Sequence, residues 1–313
     1  MTQLPVLSLN ELLASLGGLT YMQLYYLSNT IAQIIPDEQA AMQFMRNQFA
    51  LESQAGPVVT NEAANAPSKD QPPMGMIVKS ILKLSQQELQ TLGEAVLKRM
   101  QQLPSPFPKR DPESSSWGIS YGLSQIFPEE NFKPPQIEPP TEMPEWFRQV
   151  RALAHQAIQT LQTNPEEANQ VIKQAITLAE QNHYPTFALN IQWEGMTTRS
   201  EHRLTDLFQE AVEFYRTQND PFELAEKLKD WAFLQARIEN REKALEILKE
   251  AEAILESLTP EALSETDSNR RVLFQNLIEN EVLIRTKIVD LQRLRKQILS
   301  GEEVRGGYTI QTI

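Results

Sequence analysis

Apolar residues in the first hundred positions recur at spacings of three and four, and they do so twice. Residues 12–35, LLASLGGLTYMQLYYLSNTIAQII, align with residues 77–100, IVKSILKLSQQELQTLGEAVLKRM, with Ser15/Ser80, Leu19/Leu84, Leu24/Leu89 and Leu27/Leu92 identical. Leu12/Ile77, Leu13/Val78, Leu16/Ile81, Ile31/Val96 and Ile35/Met100 match in kind. Such spacing predicts helices with one apolar stripe. Within each copy a hydroxyl is followed three residues on by an amide or carboxylate, Thr20 with Gln23 and Ser85 with Glu88, which reads as a capping box opening a longer helix. One such helix-turn-helix cannot bury its stripe alone. The two copies are therefore expected to pack on each other, with Pro36 to Leu51 as a fifth helix. The first copy departs from the second at Gly17-Gly18 and at Tyr21, Tyr25 and Tyr26, an aromatic side read as exposed and partner-binding.

Proline then divides the chain. Ten of its twenty prolines fall between Pro104 and Pro144, where fixed φ and missing donors forbid continuous helix. Residues 104–142 read as a linker with an apolar patch at 117–127, whose Trp117, Tyr121 and Phe127 are candidates either for cover by a folded neighbour or for a partner. Residues 53–75, rich in Ala, Asn, Pro and Ser, read as flexible. From residue 143 onward helical patterning is nearly continuous. Asn164-Pro165-Glu166-Glu167 and Asp220-Pro221-Phe222-Glu223 each combine a capping side chain, a proline at the first helical position and a glutamate at the third, and Thr259-Pro260-Glu261 repeats the device more weakly. The predicted helices are 143–163, 165–182, 186–198, 201–217, 221–238, 241–257 and 268–299, joined by short turns that make neighbours antiparallel. The fold class is all-α: a duplicated module at 1–103, a linker, a helical array at 143–299 and a tail at 300–313.

Within the array one spacing recurs: Ala168, Ile172 and Ala175 form a small-large-small set at offsets of four and three, followed at the same offsets by Leu204, Phe208 and Ala211 and then by Ala244, Leu248 and Ala251. A period of 34 to 40 residues with two helices per unit is the footprint of stacked helical hairpins. The stretch AEKLKDWAFLQARIENREKALEILKEAEAIL, residues 225–255, resembles the tetratricopeptide (TPR) family, with Leu228, Trp231, Ala232, Ala244, Leu248 and Ala251 at framework spacing. The resemblance covers residues 143–258, one good unit and two degenerate ones; Ala152, His155 and Gln156 stand where the family has a large apolar residue, a leucine and a small residue. It implies a right-handed superhelix whose concave face binds a peptide or helix of another protein, and it transfers no particular binding residue. A generic antiparallel bundle shows the same Ala/Leu spacing.

Charge and chemistry narrow the function. A net charge of −12 argues against a basic surface for nucleic acid or anionic lipid. The chain has no cysteine, which excludes disulfides, thiolate metal sites and thiol nucleophiles. Its three histidines, His155, His183 and His202, stand at no metal-ligand spacing, and His202 with Asp206 reads as a surface i,i+4 pair. Gly17-Gly18 and Gly306-Gly307 lack the context of a phosphate loop. No cofactor and no catalysis are expected. With no signal-like N-terminus and no apolar run long enough to span a bilayer, the expectation is a cytoplasmic protein, with peripheral membrane association left open. The function expected is a protein-binding adaptor or assembly factor, with Trp193 and Tyr215 of the array added to the candidate contacts. Two alternatives are a small-molecule-sensing helical module and self-assembly through helix 268–299.

Overall fold

The computed structural model describes residues 6–54, 71–103, 144–198, 200–218, 220–265, 277–301 and 304. These form thirteen α-helices and no strand: α1 (Leu9–Ser15), α2 (Tyr21–Ile34), α3 (Glu38–Gln54), α4 (Met74–Ile81), α5 (Gln86–Gln101), α6 (Glu145–Thr160), α7 (Pro165–Gln181), α8 (Phe187–Thr197), α9 (Glu201–Thr217), α10 (Pro221–Arg237), α11 (Arg241–Ser257), α12 (Pro260–Glu265) and α13 (Leu277–Ser300). The fold is all-α. Two compact units divide these helices, the first holding α1–α5, α12 and residues 277–293 of α13, the second α6–α11 and residues 294–300.

In the first unit the duplicated pattern becomes a duplicated structure. Thr20 accepts a hydrogen bond from Gln23 N–H while the Gln23 side chain accepts from Thr20 N–H, and Ser85 and Glu88 repeat the exchange at the start of α5. Satisfying otherwise orphan amides at these points fixes where α2 and α5 begin. A third box, Ser8 with Glu11, opens α1. The aligned pairs Leu12/Ile77, Leu16/Ile81, Leu24/Leu89, Leu27/Leu92, Ile31/Val96 and Ile35/Met100 are all buried in one shared core. Each large aliphatic side chain fully removed from water contributes about 1.5–3 kcal/mol, so the shared core is the main term holding the copies together.

The copies also exchange hydrogen bonds at their one identical serine. Ser80 Oγ, fully buried, accepts from Leu7 N–H in the chain leading into the first copy (2.9 Å) and donates to Met76 O (2.7 Å). Gln71, in the chain leading into the second copy, donates to the carbonyl of Ser15 (2.7 Å). Each lead-in is thus pinned to the other copy. Asp37 opens α3 by accepting from Ala40 N–H (2.9 Å), and Ala41 and Phe44 turn into the shared core.

Two sequence expectations shift here. The stretch expected to be flexible at 53–75 is helical at both its ends, since α3 runs to Gln54 and α4 begins at Met74, a buried residue that follows Pro72-Pro73; residues 55–70 lie outside the described residues. Residues 259–265 and 277–293, expected in the array, pack in the first unit, because Val282 joins its core and Asn280 donates to Pro260 O (2.9 Å). The linker at 104–142 and the first part of the helix expected at 268–299 fall largely outside the described residues.

In the second unit consecutive helices pack on each other, α6 on α7, α9 on α8 and α10, and α10 on α11, and the few-residue turns that join them make packed neighbours antiparallel. Asn164 and Asp220 cap α7 and α10 as their sequences predict, each with proline in the first turn. All nine members of the small-large-small set are buried, so the alanines allow close approach and the larger residues fill the space between helices. The turns after α7 and α10 are closed by His183 (φ 54°) and Glu239 (φ 65°) in left-handed conformation. Tyr184 N–H then bonds Ala179 O (2.9 Å) and Asn240 N–H bonds Gln235 O (2.9 Å), satisfying carbonyls at both helix ends. His183 has a conformational role here.

Candidate protein-docking surface

α3 carries two apolar faces. Ala41 and Phe44 enter the core, whereas Met42, Met45 and Phe49, at offsets of three and four, line the outer side at 41%, 38% and 54% exposure. These three form a continuous crest. Exposed large apolar side chains scattered singly need no explanation, but three on one helical line form a patch of the kind that marks a contact surface. Methionine suits such a surface because its unbranched thioether adapts to differently shaped partners.

Beside the crest lies a groove of about 260 Å³. Tyr25, Asn29 and Gln33 of α2 form one wall, Met45, Gln48 and Phe49 of α3 a second, and Thr286, Asp290 and Arg293 of α13 the third. Gln48 Nε2 donates to Asn29 Oδ1 (3.0 Å), tying α2 to α3 across the floor. Arg293 donates to the Ile35 carbonyl at the C-terminus of α2 and pairs with Asp290 (3.4 Å). The cation thus meets the negative end of the α2 dipole and compensates the carboxylate beside it. Two polar atoms in the α13 wall have no such outlet: Thr286 Oγ and Arg293 Nε are buried without a hydrogen-bond partner among the described residues. Thr30, Thr91 and Thr205, at comparable helical positions, donate to the carbonyl four residues back, and Thr286 does not.

The sequence-predicted contacts distribute unevenly around this surface. Tyr25 lines the groove, and Tyr26 packs half-buried against the core. Tyr21 corrects the expectation of an exposed aromatic side: it is 4% exposed, because the first position of α2 faces the shared core. In the second unit Trp193 packs on the cluster that contains Val150, Ile172 and Leu189, and Tyr215 stands edge-on to Phe187 (5.9 Å between centroids) and Phe214 (5.3 Å). Both are half-buried parts of local packing. Trp117, Tyr121 and Phe127 lie outside the described residues. Sequence reading missed Met42, Met45 and Phe49, whose signal was a second apolar stripe within one helix.

A second groove, of about 230 Å³, lies in the second unit among Glu201, Arg237, Glu239, Arg241, Ile298 and Gly301. Arg237 pairs with Glu201 (2.6 Å), and Arg241 donates to the carbonyl of Gly301 (3.3 Å), which takes a positive φ of 73°. Both grooves fall below the ~300–1,000 Å³ of sites that bury most of a drug-sized ligand. His202 and Asp206 are both exposed on α9, and among the described residues no cluster of three or more His, Cys, Asp or Glu could hold a metal ion. No helix among the described residues is long and apolar enough to cross a membrane. Comparison with known protein families, curated proteins and solved structures finds no match for the chain.

Proposed function

We propose that the protein is a non-catalytic, cytoplasmic adaptor that docks a partner protein on the crest and groove of its first unit. The observation that carries this reading is the alignment of Met42, Met45 and Phe49 on the outer line of α3, beside a groove whose ion pair is internally compensated. Burying such a crest against a partner removes apolar surface from water at about 25 cal/mol per Å². The adjoining polar residues supply a rim, the arrangement that protein interfaces favour. At about 260 Å³ the groove beside the crest is smaller than sites that bury most of a drug-sized ligand, which supports protein docking over small-molecule sensing at this place. The hairpins of the second unit serve, in this reading, as a TPR-like scaffold. Its support is the burial of the recurring small-large-small set at the same place in α7, α9 and α11.

Affinity capture from the source cells tests the proposal when the wild-type chain is compared with Met45→Glu and Phe49→Glu. Both substituted side chains are exposed, so helicity and melting temperature should stay unchanged while a specific partner is lost. Retention of every captured protein by both variants would refute docking at this surface.

A further inference from the structure

We propose that the occupant of this surface is a single amphipathic helix of another protein, bearing a carboxylate beside its apolar stripe. The inference rests on the docking reading and adds the chemistry of the partner. Three features select this occupant.

The first is the kind of secondary structure the surface can accept. All three walls are helices with their backbone groups paired internally, so an extended peptide finds no ladder to join. Met42 and Phe49, the ends of the crest, are seven residue steps apart, about 10 Å at 1.5 Å per residue. A helix presenting anchors at i, i+3 or i+4, and i+7 covers the same length.

The second is area. Roughly half of three side chains stands exposed, on the order of 250–300 Å² of apolar surface. A standard interface buries about 800 Å² on each side. The crest alone is too small to hold a second copy of the chain in a stable dimer, whereas one short helix needs only such a line of anchors.

The third is charge. Asp290 and Arg293 compensate each other within the groove. Arg46 stands exposed on α3 between Met45 and Phe49 and pairs with no carboxylate among the described residues, which places a positive charge at the crest. A carboxylate flanking the partner's apolar stripe meets it. The chain as a whole, with a net charge of −12, disfavours a partner that is acidic over a wider area. The acid is therefore local to the docking helix.

The test uses the full-length chain and two synthetic helical peptides, stapled to hold their helicity and identical in their leucines at i, i+3 and i+7. One carries glutamate at the positions flanking the stripe and the other lysine. Fluorescence anisotropy at low ionic strength should show the glutamate peptide binding about three- to tenfold more tightly, a preference that shrinks at high salt. Phe49→Glu should weaken both peptides more than tenfold, and Arg46→Glu should reverse the preference. Absence of binding, or binding with no charge preference, overturns the inference. If Phe49→Glu nevertheless removes a captured partner, the docking reading survives that outcome. Sedimentation in parallel identifies the other occupant: a concentration-dependent dimer dissolved by Phe49→Glu would mean a second copy and would overturn the inference as well.

Discussion

Gly93 of α5 lies directly beneath the ring of Phe44 of α3, so close that a Cβ at position 93 would come within 2.6 Å of Phe44 Cε2. This contact seats α3 on α5 and fixes which face of α3 turns inward. Phe44 goes in, and Met42, Met45 and Phe49 consequently face out. The residue aligned with Gly93 in the first copy is Ser28, also small and fully buried. Gly93→Ala is expected to overpack the site and cost about 1–3 kcal/mol in urea unfolding. Phe44→Leu in the same chain should recover part of that loss. Unchanged stability of Gly93→Ala would show that α3 is not held in this way.

The reciprocal pinning of the two copies makes a separate prediction. Ser80→Ala removes the acceptor for Leu7 N–H from a buried position. The orphaned amide should cost about 1–3 kcal/mol, and hydrogen exchange at Leu7 should accelerate. Ser80→Thr does not preserve the packing, because the extra methyl enters a fully buried site.

Thr286 predicts the opposite sign. Its hydroxyl is buried and unpaired among the described residues, so Thr286→Val keeps the shape and removes a group that gains nothing from its place. Thermal unfolding should show a neutral or stabilising effect of up to about 1 kcal/mol. A marked destabilisation would mean that the hydroxyl is used.

The capping boxes predict a pH dependence. The Glu88 carboxyl is held below its ordinary value of 4.5 by the Ser85 hydroxyl and then by Ser85 N–H, and Glu11 is lowered in the same way by Ser8. A carboxyl that ionises more readily when folded stabilises the fold above its unfolded value, and that contribution disappears as pH falls through the folded value. The window therefore lies below 4.5. A chain carrying both Glu11→Gln and Glu88→Gln should lose less stability than the wild type between about pH 5 and about pH 3. Equal losses would show that the boxes do not contribute. At neutral pH, Ser85→Ala should cost about 0.5–2 kcal/mol.

Much of this fold was legible where the determining chemistry is local. Thr20 with Gln23, Ser85 with Glu88, Asn164-Pro165 and Asp220-Pro221 fix helix starts through side chains and amides a few residues apart, and α9 and α11 occupy the predicted spans 201–217 and 241–257. The shared core of the duplication was legible too, because its matched residues are apolar in both copies. The inward face of a helix is harder to read when two of its stripes are apolar. In α3, Phe44 and Phe49 are equivalent by composition, and only the space above Gly93, about fifty residues away in sequence, selects Phe44 for the core. Tyr21 was misread as exposed for the related reason that its cover comes from the shared core. The placement of residues 259–265 and 277–293 in the first unit depends on Val282 meeting its core and on Arg293 meeting the end of α2, 258 residues earlier, which no local pattern announces.

The central claim, that a partner protein docks on the α3 crest, is tested most directly by photo-crosslinking in the source cells. Benzoylphenylalanine is placed at Phe49, with a control at Glu250 of the second unit. The account predicts a discrete crosslinked partner at position 49 that is absent from the control and disappears when Met45→Glu is added. No protein crosslink at position 49, or the same products from both positions, would contradict it.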